Sequence, residues 1–211
     1  MSDLIFYTNP QSRGRIVRWM LEEIGEPYDT QIIDYSDLRA EGYRSVNPMA
    51  KVPAIQHRGR TVTECAAICA YLADVFPQAG LGPRDDEKAD YYRWMFFAAG
   101  PIEAAVSNKA MGWEPTPERE RMFGYGNFER AIGVVDALLS TRDYVCGARF
   151  TAADVYVGSQ LMFPMMFGLL DKRERFTSYA ERLQQRPAYK RAAELDDQAQ
   201  AEAEARQPQP A

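Results

Sequence analysis

Apolar residues recur along this chain with two different periods, and the change from one to the other divides it. Leu4 to Tyr7 is a short apolar run fit for a buried strand. From Ser12 to Ile24 the residues Ile16, Val17, Met20, Leu21 and Ile24 fall on one helical face, and Gly25 follows where a helix C-terminus favours glycine. Tyr28 to Asp34 alternates weakly around Ile32 and Ile33 and predicts a second strand; Ser36 to Tyr43 predicts a short helix or irregular connection. Val52 to Gln56 and Arg60 to Thr63 predict two strands around an Arg58-Gly59 turn. Glu64 to Phe76 predicts a helix, with Cys65, Ile68, Cys69, Leu72 and Phe76 on one face. The order is β-α-β-α followed by β-β-α, an α+β layer of about 75 residues that joins a parallel unit to an antiparallel hairpin.

Pro77-Gln78-Ala79-Gly80-Leu81-Gly82-Pro83 is the clearest linker, and beyond it strand signals vanish. Helices are predicted over 86–110, 118–139, 152–163, 176–185 and 188–199. Thr151-Ala152-Ala153-Asp154 is a helix-start pattern in which hydroxyl and carboxylate cap reciprocally, and its expected role is structural. From Ala199 onward Ala, Glu, Gln and Pro dominate, which predicts a frayed helix end and a disordered tail. The expected domains are therefore 1–77, α+β, and 86–199, all helical, with 200–211 as the tail.

Composition narrows the function. Across 211 residues, 46% are hydrophobic and 26% charged, as in ordinary globular proteins. A net charge of −5 argues against a nucleic-acid partner held by general electrostatics, and mildly against anionic membranes. The apolar stretch Leu161 to Leu170, interrupted by Pro164 and Gly168, is too short to span a bilayer and predicts a buried helix. The N-terminus has no basic region and no signal-peptide pattern, so a cytoplasmic location is expected. Three cysteines, Cys65, Cys69 and Cys146, give no disulfide framework; Cys69 and Cys146 are expected to be packed core thiols. A single histidine, His57, removes zinc sites of the HExxH kind and most multi-histidine metal centres, so no metal is expected. His57 precedes the Arg58-Gly59 turn, and a half-exposed strand end is its expected setting.

One stretch carries more chemistry than the rest: Asn47-Pro48-Met49-Ala50-Lys51-Val52-Pro53-Ala54-Ile55, followed by Glu64-Cys65-Ala66-Ala67-Ile68. A proline before a short strand removes one N–H and, if its bond is cis, turns the preceding residue's backbone outward. A helix that begins near Glu64 offers free N–H groups to an anion. Together these display backbone to a small extended peptide that carries a carboxylate. With the α+β layer, the Pro/Gly linker and the capped helical half, this arrangement resembles the cytosolic glutathione transferases of bacterial, serine-type kind over almost the full length. The resemblance implies a thioredoxin-like N-terminal domain and an all-helical C-terminal domain. It also implies a glutathione site, a hydrophobic acceptor site and a homodimer.

On that resemblance, Val52 and Pro53 match the position that pairs backbone-to-backbone with the cysteinyl unit of glutathione. Lys51 is placed to meet the glycyl carboxylate or to remain a solvated lysine, and Glu64 with Cys65 matches the acidic-hydroxyl pair that binds the γ-glutamyl end. Cys65 departs from the family's serine or threonine. Its N–H survives but its thiol donates weakly, a loss of about 1 kcal/mol if one net hydrogen bond goes. The chemistry needs the glutathione thiol as thiolate, and a donor aimed at the sulfur together with a helix N-terminus lowers its pKa. Ser12 is the first candidate donor, with helix N-capping as its alternative role; Asn9 and Tyr7 are the others. Arg13 and Arg15 add positive potential nearby.

For the acceptor, Met111 and Trp113 are the candidates, Trp113 being placed at a cleft rim by Gly112 and Pro115. Phe163, Met165, Phe167, Tyr92 and Phe96 are also available, most of them as expected core. Tyr71 and Tyr92 are expected at a dimer interface. The resemblance implies conjugation of glutathione to hydrophobic electrophiles, with peroxidase activity on the same thiolate. A non-catalytic binding or interaction module that keeps the fold is the alternative.

Overall fold

A computed structural model describes residues 2–206. They form two compact units: one gathers the described residues up to Ala79 and those from Gln185 onward, and the other is Gly80–Gln184.

In the first unit, β1 (Leu4–Thr8) pairs in parallel with β2 (Asp29–Ile32) and antiparallel with β3 (Ala54–His57), which pairs antiparallel with β4 (Arg60–Thr63). The sheet order is β2-β1-β3-β4, a thioredoxin-like layer. α1 (Gly14–Ile24) forms on the predicted stripe and ends at Gly25 in the left-handed region (φ 75°), whose N–H donates to the Leu21 carbonyl. α2 (Glu41–Arg44) is a single turn, and α3 (Cys65–Val75) buries Ile68, Cys69 and Leu72. Phe6, Ile16, Met20, Ile55, Ile68 and Leu72 fill the core between sheet and helices.

His57 departs from expectation. It is 3% exposed, its Nδ1 shares a hydrogen bond with the Tyr71 hydroxyl at 2.9 Å, and its ring lies against Tyr71 and Phe76. Burial and then the Arg58 charge hold its pKa below the ordinary value, against Asp3. For a base whose folded pKa is depressed, the stability contributed is complete above the unfolded value, about 6.5, and is lost as pH falls through the folded one. An NMR titration of this one imidazole is expected to show a midpoint below that of a free histidine. A midpoint at or above it would contradict the burial.

The second unit is helical: α4 (Lys88–Phe97), α5 (Glu103–Ala110), α6 (Phe128–Leu139), α7 (Ala152–Met166) and α8 (Glu174–Gln184). The helix expected over 86–110 is broken by a π-helical segment, Ala98–Ile102, where Pro101 lacks the N–H that a regular ladder needs. The helix expected over 118–139 also splits. Glu120–Met122 is a short 3-10 turn, Gly126 turns the chain at φ 69°, and Asn127 starts α6 by accepting the Arg130 N–H at 2.8 Å. α7 is buried along most of its length and passes through Pro164 to Met166. The buried helix expected over 161–170 therefore ends early, and Met166 and Phe167 are exposed. The linker is tied down at its far end: Arg149 donates to the Gly80 and Gly82 carbonyls, and Ala152 N–H to the Leu81 carbonyl.

α9 (Pro187–Arg206) corrects two expectations. It groups with the first unit, not with the helical one, and it stays helical to Arg206 where a disordered tail was expected from residue 200. Residues 207–211 of that tail lie outside the described residues. No helix among the described residues is long and apolar enough to cross a membrane.

Candidate functional site

Strand register gathers the candidate residues at one end of the sheet. Tyr7 lies opposite Ala54, and Ala54 opposite Thr63, so the chain before α1, the Val52-Pro53 pair and Glu64 all follow from the same edge. The N-termini of α1 and α3 meet there as well, because the Cys65 thiol donates to the Arg13 carbonyl at 3.7 Å. Two helix N-termini side by side bring two positive dipole ends to one place.

The Val52–Pro53 peptide is cis. Among the described residues neither the N–H nor the C=O of Val52 has a hydrogen-bond partner, so one donor and one acceptor stand open beside the first residue of β3. The loop before them is held from beneath. The Lys51 carbonyl accepts from the Tyr43 hydroxyl at 2.6 Å and from Asn47 Nδ2 at 2.7 Å. Asn47 is buried, and its Oδ1 accepts the Met49 N–H at 3.1 Å. Burial pushes the Tyr43 hydroxyl up to about 12, against the Asn47 amide, so it remains a donor at any physiological pH. The Lys51 side chain is exposed. The sequence cue to Asn47 is Asn-Pro at the head of a turn, where an asparagine side chain commonly bonds backbone ahead of it; no such cue marks Tyr43.

Glu64 is exposed and sits at φ 67°, ψ 119° just before α3, a sparsely populated conformation for a residue with a Cβ. Such a backbone costs of the order of 1–3 kcal/mol and persists where surrounding structure fixes it. Cys65 is the first helical residue and is half-buried. Cys69 lies fully buried one turn on, with its thiol pushed well up by burial, as expected of a core cysteine. Cys146, in the other unit, is only half-buried; burial pushes its thiol up to about 11.

The three candidate sulfur donors all have protein partners. Ser12 Oγ donates to the Asn9 carbonyl at 2.6 Å and accepts the Gly14 N–H at 2.9 Å, which makes it a cap for α1. Asn9 Nδ2 donates to the Ile33 carbonyl at 3.0 Å, while its Oδ1 accepts the Gln11 N–H at 3.0 Å. The Tyr7 hydroxyl donates to Gln56 Oε1 at 2.7 Å, and burial raises its pKa. Of the three, only Ser12 lies at the helix N-terminus itself. Arg13, also at that terminus, is exposed. Gly14 permits the close fit of α1 onto β1: a Cβ there would stand 1.9 Å from Thr8 Oγ1. The sequence offers no cue to that contact, because Thr8 and Gly14 are brought together only by the turn between them.

In the helical unit, Met111 is 82% exposed at the end of α5, and Trp113 is 48% exposed with its ring edge-on to Phe123 at 5.1 Å. Tyr92, Phe96 and Phe167 are exposed and not core; Met165 is buried. Among the described residues no cluster of His, Cys, Asp and Glu could hold a metal ion.

Residues 12–75 match the family described as glutathione S-transferase, N-terminal domain. The chain is 28% identical over 174 residues to glutathione S-transferase GstA of Escherichia coli O157:H7, covering 79% of this chain and 86% of that one. A crystal structure of a glutathione transferase from Methylococcus capsulatus superposes with a TM-score of 0.73 at 26% identity, over 92% of this chain and 98% of the other. A theta class glutathione S-transferase from Xanthomonas axonopodis pv. citri, solved with glutathione bound, gives a TM-score of 0.72 at 25% identity, over 92% and 98%.

Proposed function

Because this chain belongs to the glutathione S-transferase family, we propose that it binds glutathione at the sheet end described above and transfers its thiolate to a hydrophobic electrophile. The observation that carries this reading is the open Val52 N–H and C=O beside two adjoining helix N-termini. An extended tripeptide can add to that open backbone as a short strand, with its cysteinyl unit opposite Val52. Its glycyl carboxylate is then within the province of Lys51. Its γ-glutamyl end falls to Glu64 and to the Cys65 N–H at the start of α3. Arg13 adds positive charge by the sulfur.

Ser12 is the proposed donor to the thiolate. Its oxygen already accepts an N–H from the helix terminus, which polarises its own O–H. A thiolate is a charged acceptor and bonds more strongly than the neutral Asn9 carbonyl that now takes the proton. Rotation of one hydroxyl hydrogen makes the exchange. The bound thiolate could equally reduce an organic hydroperoxide, so peroxidase activity belongs to the same proposal.

Met111 and Trp113 supply adaptable apolar surface for the acceptor. Tyr92 and Phe96, exposed one turn apart on α4, support a homodimer. The three cysteines are free thiols, which fits a reducing cytoplasm.

One observation favours a second reading. Ser12, Asn9 and Tyr7 all donate to protein acceptors, as they would in a module that holds glutathione without activating it. The ultraviolet absorbance of the thiolate, followed against pH in the complex with glutathione, separates the two. Ionisation well below the free thiol's pKa of about 8.5 is the expected result. An unshifted thiol, or no binding, would remove the transferase reading and leave the module.

A further inference from the structure

α9 meets α1 largely through charge. Arg18 donates to Asp196 at 2.8 Å with side chains 5% and 1% exposed, Arg191 pairs with Glu22 at 2.7 Å, and Arg186, the residue before α9, pairs with Glu23 at 2.6 Å. The Trp19 ring stands edge-on to Tyr189 at 5.0 Å. These contacts fix the helices against each other.

Arg15 differs. One terminal nitrogen donates to Asp197 Oδ1 at 2.7 Å and to Gln200 Oε1 at 3.4 Å, both on α9. Its Nε donates to the Pro10 carbonyl at 2.6 Å. Pro10 lies in the loop that leads from β1 to α1, between Asn9, whose carbonyl takes both the Ser12 N–H and hydroxyl, and Ser12 itself. A guanidinium is a rigid planar fork, so fixing one of its arms on α9 fixes where the other points.

We infer that Arg15 is a positioning residue: α9 holds Arg15 through Asp197, and Arg15 holds the Pro10 carbonyl, keeping the loop 9–13 in the geometry that meets the substrate thiol. This role rests on the glutathione reading above. A displacement of about 1 Å in a group that meets a reacting atom can cost of the order of a hundredfold in rate. The C-terminal helix, whose acidic and amide side chains show no pattern of a catalytic element, therefore takes part in tuning the sulfur.

The test compares full-length wild type, Arg15→Met and Arg191→Met; the last removes an ion pair between the same two helices without reaching the loop. In the free proteins, amide hydrogen exchange is followed at Gln11 and Ser12, whose N–H groups are bonded to Asn9. In the complexes, the pH of thiol ionisation is measured, with kcat and KM taken separately. Arg15→Met is expected to speed exchange at both amides, to raise the bound thiol's pKa toward the free value and to lower kcat about tenfold with a smaller change in KM. Arg191→Met should leave all three as in wild type. Arg15→Lys keeps the charge for Asp197 without the fork and should fall between. Exchange in Arg15→Met equal to wild type, or an equal change in Arg191→Met, overturns the inference. A thiol unshifted in wild type overturns the glutathione reading instead, and the exchange comparison still decides whether Arg15 clamps the loop.

Discussion

Asp154→Ala is expected to destabilise the helical unit by about 3–5 kcal/mol, enough to leave much of it unfolded at ordinary temperature. The carboxylate is fully buried at the start of α7. Its Oδ1 accepts the Val145 N–H and the Tyr179 hydroxyl, each at 2.8 Å. Its Oδ2 accepts the Thr151 N–H at 2.8 Å and the Thr151 hydroxyl at 3.1 Å. One side chain therefore caps α7 and ties in both the preceding loop and α8. Alanine strands four buried donors, and each unsatisfied group costs about 1–3 kcal/mol before any relaxation.

Burial pushes the Asp154 carboxyl up to about 6, with the Val145 and Thr151 N–H groups among those that pull it back. A folded pKa raised above the unfolded one means that this group's contribution is complete below about pH 4 and declines as pH rises through the folded value. Denaturant unfolding of wild type and variant at matched pH measures the loss. If Asp154→Ala gives no soluble protein, Tyr179→Phe removes one of the four donors and should cost about 1 kcal/mol. A loss below that in Asp154→Ala would show that the network is not what holds α7.

Local chemistry explains what was legible in the sequence. α1 with its stop at Gly25, the β3–β4 hairpin around Arg58-Gly59 and the cap at Thr151-Asp154 all follow from residues within one turn of each other, and all formed as expected. The Val52-Pro53 pair marks a place where backbone is turned outward only if its bond is cis, and that bond is cis. Non-local pairing hid the rest. α9 buries only Ala192 and Asp196, so it has no apolar stripe to read, and its attachment to α1 rests on arginines and carboxylates more than 160 residues apart. His57 reads as a half-exposed strand end because the aromatic rings that cover it come from α3 and the residue after it. Phe96 has the residue type of a core position, while α4 turns Tyr91, Trp94 and Met95 inward instead. Within the candidate site the backbone was legible, but the partner of the Ser12 hydroxyl was not: that depends on how the loop folds back on Asn9.

That partner sets the second large effect. Ser12→Ala is expected to lower kcat/KM about a hundredfold, the scale seen when one preorganised donor is removed from a developing or bound anion. The bound glutathione thiol should titrate closer to its free value, and glutathione affinity should fall less than kcat. Stability should drop by about 1 kcal/mol, the typical cost of losing a hydroxyl cap. Rate and stability thus separate the two roles of this residue. Ser12→Thr, which keeps the hydroxyl, should restore most of the rate. The opposite pattern, a stability loss with the rate and the thiol titration unchanged, would make Ser12 a cap alone. The sulfur would then be held by the positive dipole end of α1 and by the charge of Arg13. Tyr7→Phe provides the contrast in either case: its hydroxyl is bonded to Gln56 and is not at that terminus, so its removal should leave the thiol titration as in wild type.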